Sequence, residues 1–260
     1  LYSVVFLLLT LPAFKEGSVR YARHIALFTA LIWGLSPVQT EAVTYIIQRL
    51  TALAAMFGFL CIFLYLKGRR CIEGGLKNAG YVFLGCSCFA FVLAVLTKEN
   101  SITIPFFILL IELLFFRKDI TVSWKGVFRL SWIVLGMAVV ILIIRPSAFS
   151  YVFTGYETRE FTMYERILTE FRIMVRYITL VILPLPSRLN LDYNYPVSES
   201  LFNPVSTLFS FLFICAALGY AAYLLRRDPL VSFCILWFFG NTVIESTVVP
   251  LELIFEHRVY

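Results

Sequence analysis

Apolar residues run along this chain in long blocks separated by short polar knots. The blocks at residues 1–14, 24–35, 49–66, 81–96, 102–116, 130–144, 205–225 and 230–249 predict membrane-spanning helices. A helix needs about 20 residues to cross a bilayer, and fewer where the bilayer thins. The first block is cut short, and the second is short unless it extends back through 20–22. Residues 163–183 break the pattern. Thr162, Glu165, Thr169, Arg172, Arg176 and Thr179 recur there at helical spacing as one polar stripe, and Met163, Ile167, Leu168, Phe171, Met174, Val175 and Ile178 fill much of the remainder. That predicts an amphipathic helix lying in the membrane interface. Crossing would put Arg172 and Arg176 into hydrocarbon at about 2.5–3.5 kcal/mol each. Thr162 and Glu165 have the spacing of a capping box, and Pro184 and Pro186 stop the helix. The predicted fold is all-α: a polytopic transmembrane helical bundle whose large outer loop, 146–204, carries an interfacial helix.

Composition strengthens this picture. The 260 residues are 60% hydrophobic and 15% charged, with mean hydropathy +0.87, whereas soluble domains are nearer half apolar and a quarter charged. A soluble enzyme, a disordered chain and a nucleic-acid-binding domain are thereby excluded. The net charge of +6 belongs to anchors between apolar blocks. Lys15, Arg20, Arg23, Lys67, Arg69, Arg70, Lys77, Arg117, Lys118, Lys125, Arg129, Arg226 and Arg227 fall in one set of loops, with only the acids Glu16, Glu73, Asp119 and Asp228. That set is expected to be cytoplasmic. The alternate set, 36–48, 98–100, 146–204 and 251–260, then faces outward, provided 163–183 does not cross. Cys61, Cys86, Cys88, Cys215 and Cys234 lie in apolar blocks and Cys71 in a basic loop; none has metal-ligand spacing with His24 or His257, so no metal site is expected. A chain that opens inside an apolar run at Leu1 and stops after Glu256-His257-Arg258 reads as an internal piece of a larger protein, with N- and C-terminal parts missing.

Residues with chemical potential collect on the outer side. Pro37 suits a helix start, and a helix running unbroken from there puts Glu41, Thr44, Gln48 and Arg49 on one face. This is either an interfacial helix whose Arg49 snorkels to headgroups or a polar site at the outer surface. Thr97-Lys98-Glu99-Asn100-Ser101 is a tight hairpin with Lys98 and Glu99 at its tip. An outward lysine there suits a phosphate as a point charge, against the simpler reading of a solvated turn. The stretch 187–203 holds Arg188, Asp192, Tyr193, Asn194, Tyr195, Glu199 and Asn203, residue types that hold sugars by stacking and hydrogen bonding. Glu252, Glu256, His257 and Arg258 follow the last block. Of the carboxylates inside spans, Glu112 is the one to consider as a charge carried through the membrane, and it lies near the cytoplasmic end of its span.

Several of these segments occur together in one known family. Ser-Pro-Val-Gln-Thr-Glu-Ala-Val at 36–43 with Arg49 resembles the "HPVHTEAV…R" loop of the transmembrane and tetratricopeptide-repeat O-mannosyltransferase (TMTC) family and its bacterial relatives. Lys98-Glu99 followed by Pro105 resembles that family's "KE…P" hairpin. Arg166 to Pro184, then Leu191-Asp192-Tyr193, is similar to its "R-x-L-T…Y…L-L-x-P…D" segment, and 256–260 to its "E-x-R-x-Y" element. Ser36 stands where the family often has His.

The resemblance implies a GT-C glycosyltransferase: a multi-span enzyme that takes a sugar from a polyprenyl-phosphate carrier on the outer face. It implies that the catalytic carboxylate lies upstream of Leu1, and that this chain is the part of the transmembrane domain after the first outer loop. Such transfer needs cations at the leaving phosphate, for which Arg49, Lys98, Arg172, Arg176 and Arg258 are the candidates. Glu41, Gln48, Glu99, Asp192, Tyr193, Glu256 and His257 are expected to orient substrate. Metal dependence varies across GT-C enzymes, so a divalent metal stays open although no ligand set for one is found. The implied partners are the lipid bilayer, a polyprenyl-phosphate-linked sugar such as mannose, and an acceptor protein or glycan. The implied place is a bacterial inner membrane or the endoplasmic reticulum membrane, active side periplasmic or lumenal. Two other classes fit the residues: a transporter or flippase of lipid-linked sugar, and a non-catalytic membrane scaffold.

Overall fold

The computed structural model describes residues 1–11, 13–14, 16–40, 46–116, 156–157, 159, 161–184 and 195–246. All regular structure among the described residues is helical. The chain divides into two compact units, Leu1–Val127 and Phe128–Tyr260.

In the first unit, helix α1 spans Tyr2–Leu9, not the whole of 1–14. The Thr10 hydroxyl bonds back to the carbonyls of Phe6 and Leu7, both at 2.9 Å, and Pro12 follows, which disfavours helix in the residue before it. Helix α2, Glu16–Leu35, starts eight residues before the expected block and takes in Arg20 and Arg23. Helix α3, Arg49–Glu73, has 25 residues. It carries Lys67, Arg69, Arg70 and Cys71 inside its last two turns, where a basic loop was expected. Lys and Arg are good helix formers, and no breaker occurs before Gly74-Gly75. There Leu76 N–H reaches the Cys71 carbonyl and Gly75 N–H the Ile72 carbonyl. Gly75 has φ of 85°, the left-handed residue that this helix terminus requires.

Helix α4, Lys77–Thr97, returns antiparallel against α3. The two backbones meet at Gly68 and Gly80; a Cβ on Gly80 would collide with the Ile72 side chain and with the Gly68 carbonyl. Small residues at a contact allow this approach between membrane helices. Further along, Cys61 and Ser87 touch at 3.3 Å, and the Ser87 hydroxyl donates to the Cys61 carbonyl at 2.8 Å. Next come a 3-10 turn Glu99–Thr103, helix α5 Ile104–Ile111, and a π-turn Glu112–Phe116.

In the second unit, helix α6 spans Met163–Ile182. Both arms of the expected capping box form: the Thr162 hydroxyl accepts from Glu165 N–H, and the Glu165 carboxylate accepts from Thr162 N–H at 2.8 Å. Its buried face is Arg166, Thr169, Glu170, Ile173, Tyr177 and Leu180. Part of the polar stripe is therefore turned into the protein and not towards water. Ile173 and Tyr177 form a small core against which Tyr195 and Phe238 pack. Helix α7, Ser206–Leu224, packs on α6 and on α8, Pro229–Thr242. Helix α8 ends seven residues short of the expected 249. Near its end Asn241 and Thr242 turn their side chains back to the carbonyls of Trp237, Phe238 and Phe239, a competing bond typical of these residue types.

Four described helical stretches are long and apolar enough to cross a membrane: Arg49–Glu73, Lys77–Thr97, Glu99–Phe116 and Ser206–Leu224. Large apolar side chains such as Met56, Phe89, Leu96 and Phe209 are exposed on them, as expected for surfaces solvated by lipid. The expected span at 130–144 lies outside the described residues.

Candidate functional site

The first unit gathers polar side chains at one end of α3 and α4. The α-helix starts at Arg49, preceded by 3-10 turns at Pro37–Gln39 and Ile46–Gln48. The expected unbroken helix from Pro37 is thus absent. A 3-10 turn advances 3.0 residues per turn rather than 3.6, so the single face drawn through Gln48 and Arg49 does not hold. Arg49 is exposed at the first helical position. Gln48 acts on Thr51 instead: its Oε1 accepts the Thr51 hydroxyl at 3.0 Å. The same Thr51 oxygen accepts Lys98 Nζ at 3.2 Å. Lys98 has extended backbone, with φ of −151°, between α4 and the 3-10 turn, which carries it back onto α3. Glu99 beside it is exposed. Gln48 and Lys98, two expected site residues, therefore share one hydroxyl, and Thr51 is the member that sequence spacing missed.

At the other end of the same unit, Glu112 accepts Tyr65 Oη at 2.6 Å, Arg69 Nε at 2.9 Å and Arg69 Nη2 at 2.7 Å. The guanidinium also lies 4.9 Å over the Phe116 ring. Next to it Arg70 donates to the carbonyl and hydroxyl of Thr10. This fully bonded group ties α3 to α1 and to the π-turn.

The second unit holds an open cleft of about 450 Å³ lined by Arg172, Arg176, Thr179, Tyr195, Ser206 and Ser210, with Val175 and Leu180 as apolar wall. Arg172 lies 4.7 Å and Arg176 5.9 Å from the centre of the Tyr195 ring, close enough for cation–π attraction. No carboxylate is among the described residues that line the cleft. Arg172 Nη1 donates to the Pro196 carbonyl at 3.0 Å and to Ser198 Oγ at 3.2 Å. Behind that contact the polar groups are fully buried. Ser198 N–H donates to Thr169 Oγ1 at 2.8 Å, and Thr207 Oγ1 donates to Ser198 Oγ at 2.9 Å. Tyr195 was one aromatic among several in the sequence; its place over both arginines, and the roles of Ser198 and Thr207, come from how residues 195–198 lie across α6 and α7.

A second feature of α6 is a buried ion pair at i, i+4 spacing, formed by the arginine that opens the R-x-L-T-like segment. Arg166 Nη2 bonds Glu170 Oε1 at 3.0 Å and the Glu245 carbonyl at 2.9 Å, with side chains 0% and 1% exposed. Burial holds the nearby Tyr156 phenol above its ordinary range; Arg166 opposes that shift and Glu170 adds to it. Glu165 does not reach along the stripe to Arg172; its carboxylate is occupied by Thr162.

Of the expected site residues, Glu41, Asp192, Tyr193, Glu256, His257 and Arg258 lie outside the described residues. Among the described residues no group of three or more His, Cys, Asp or Glu could hold a metal ion. No known protein family, curated protein or solved structure matches the chain.

Proposed function

We propose that this chain is the membrane part of a glycosyltransferase that moves a sugar, mannose in the family it resembles, from a polyprenyl-phosphate carrier to a hydroxyl of a protein or glycan on the outer or lumenal face. The observation that carries the reading is the cleft of the second unit. Two guanidinium groups, i and i+4 on α6, enter it beside a tyrosine ring and three hydroxyls. Like charges at that spacing repel, so the arrangement favours an anionic occupant. Guanidinium forks match the oxygens of a phosphate, and stabilising a leaving phosphate is what transfer from such a carrier requires. Lys98, Gln48 and Arg49 of the first unit are proposed for the same donor, with Arg258 behind them. Glu99, Glu41, Asp192, Tyr193, Glu256 and His257 are proposed to orient substrate.

The transporter reading is disfavoured by Glu112. Its carboxylate is held by both a tyrosine and a bidentate arginine, which suits a clamp better than a carrier of charge. The test is the double reversal Arg172→Glu with Arg176→Glu, assayed for capture of a photoreactive polyprenyl phosphate by the inserted protein. Capture should be lost. Undiminished capture would remove the cleft from the donor site.

A further inference from the structure

Arg172 lines the cleft, but what holds it there does not. Ser198 is 0% exposed and so cannot touch a ligand, yet three side chains from two helices converge on it. Its N–H donates to Thr169 of α6, its oxygen accepts Thr207 of α7, and the same oxygen accepts Arg172 Nη1. Thr169 is itself anchored, donating to the Glu165 carbonyl at 2.7 Å. Thr169 and Thr207 are as fully buried as Ser198. Burying three hydroxyls is tolerated because each finds a partner. The result is a fixed point from which the 195–198 segment is hung.

A guanidinium has five N–H donors in a rigid fork. The two on Nη1 are spent on the Pro196 carbonyl and Ser198 Oγ, which sets the plane of the fork and leaves Nε and Nη2 for a ligand. The segment that fixes this plane also supplies Tyr195, whose ring lies 4.7 Å from the Arg172 guanidinium. One short strap therefore orients both the charge and the surface it stacks on. Preorganised donors bind an anion more tightly than donors ordered on arrival.

We propose that Ser198 is a positioning residue for anion binding in the cleft: it holds the Arg172 fork, and through its own strap Tyr195, in the binding orientation without contacting the ligand. This rests on the reading of the cleft as a phosphate site. Losing a hydrogen bond to a charged group weakens binding by about tenfold or more, which sets the expected scale.

The test uses the full-length protein in micelles, with a photoreactive prenyl phosphate as probe and inorganic phosphate as competitor. Ser198→Ala should weaken probe binding about tenfold. Ser198→Cys, similar in size but a weak acceptor, should resemble it and covers the case in which alanine fails to fold. Arg172→Ala should weaken binding at least as much, and adding Ser198→Ala to it should change little further. Thr207→Val removes the other hydroxyl on Ser198 without removing the acceptor of Arg172. It should lower apparent Tm as Ser198→Ala does, yet keep affinity within about twofold, a split that a merely structural role would not produce. If Arg172→Ala binds like the parent, the phosphate reading itself fails. If Arg172→Ala weakens binding but Ser198→Ala does not, or the two losses add, or Thr207→Val loses affinity equally, the positioning role is overturned while the phosphate site stands.

Discussion

Glu112→Ala should loosen the first unit by removing the partner of Arg69 and leaving that guanidinium half-buried. The carboxylate accepts one hydrogen bond from Tyr65 and two from Arg69, and Glu73, at 3.8 Å, is the other acid paired with Arg69. Breaking a fully buried pair from one side costs about 3–5 kcal/mol. Here each side chain is 24% exposed, so solvent and Glu73 offset part of the loss, and about 2–3 kcal/mol is expected. For domains of this size that is an apparent Tm drop of about 5–10 °C. Cys61 offers a reporter. It is 1% exposed on α3 against Ser87 of α4, one turn from Tyr65. With the other five cysteines replaced by alanine, thermal labelling of Cys61 by a small maleimide reads the opening of this helix pair. Tyr65→Phe should cost about 1 kcal/mol, since it removes one hydrogen bond and leaves the ion pair. The double swap Arg69→Met with Glu112→Leu should recover most of the loss, because apolar isosteres of a buried pair are often neutral. Equal labelling temperatures for Glu112→Ala and its parent would refute the clamp. So would a double swap as damaging as the single change.

Three further outcomes are expected. In a background without native cysteines, Lys98→Cys should react with an impermeant thiol reagent from outside and Asp228→Cys should not; the reverse pattern would overturn the charge-based orientation. Gly80→Ala should destabilise the α3–α4 hairpin by about 1–3 kcal/mol, the usual cost of overpacking, because its Cβ meets Ile72 and the Gly68 carbonyl; Cys61 labelling reads this as well. Thr162→Ala should cost about 1 kcal/mol at the start of α6. The Thr162 backbone N–H, then its hydroxyl, hold the Glu165 carboxyl below its ordinary value of 4.5. A carboxyl lowered on folding stabilises above that value and stops doing so as pH falls through the folded one. Amide exchange in the first turn should therefore quicken in acid in the parent, after correction for intrinsic rate, and show a weaker acid dependence in the variant.

Periodicity made the helices legible and left the contacts between them obscure. Apolar blocks located α3, α4 and α7 because lipid accepts any apolar face, so the pattern survives whatever the packing. Their ends followed local chemistry: Gly75 with its left-handed φ, Thr10 bonding backwards, and Asn241 with Thr242. Basic residues were read as loop because charge usually leaves the membrane, but Lys67 to Arg70 continue α3 and find Glu112, Thr10 and aromatic rings. The stripe on α6 was visible as a stripe. Which side it faced was not, because a stripe of Thr and Arg bonds equally well to water or to a strap such as 195–198. Thr51, Ser198 and Thr207 were invisible for a related reason: a lone hydroxyl gains meaning only from a partner tens of residues away.

The activity proposed for this protein is transfer of a sugar from a polyprenyl-phosphate carrier. The direct measurement is transfer of radiolabelled sugar from a polyprenyl-phosphate donor in sealed membrane vesicles of defined orientation, comparing the full-length protein with its Arg172→Glu, Arg176→Glu form at equal inserted amounts. The account predicts donor-dependent incorporation into protein or glycan on the outer or lumenal face, lost in the double variant. Incorporation that is absent from the parent across polyprenyl-phosphate sugars, or that persists at the parental rate in the double variant, would contradict it.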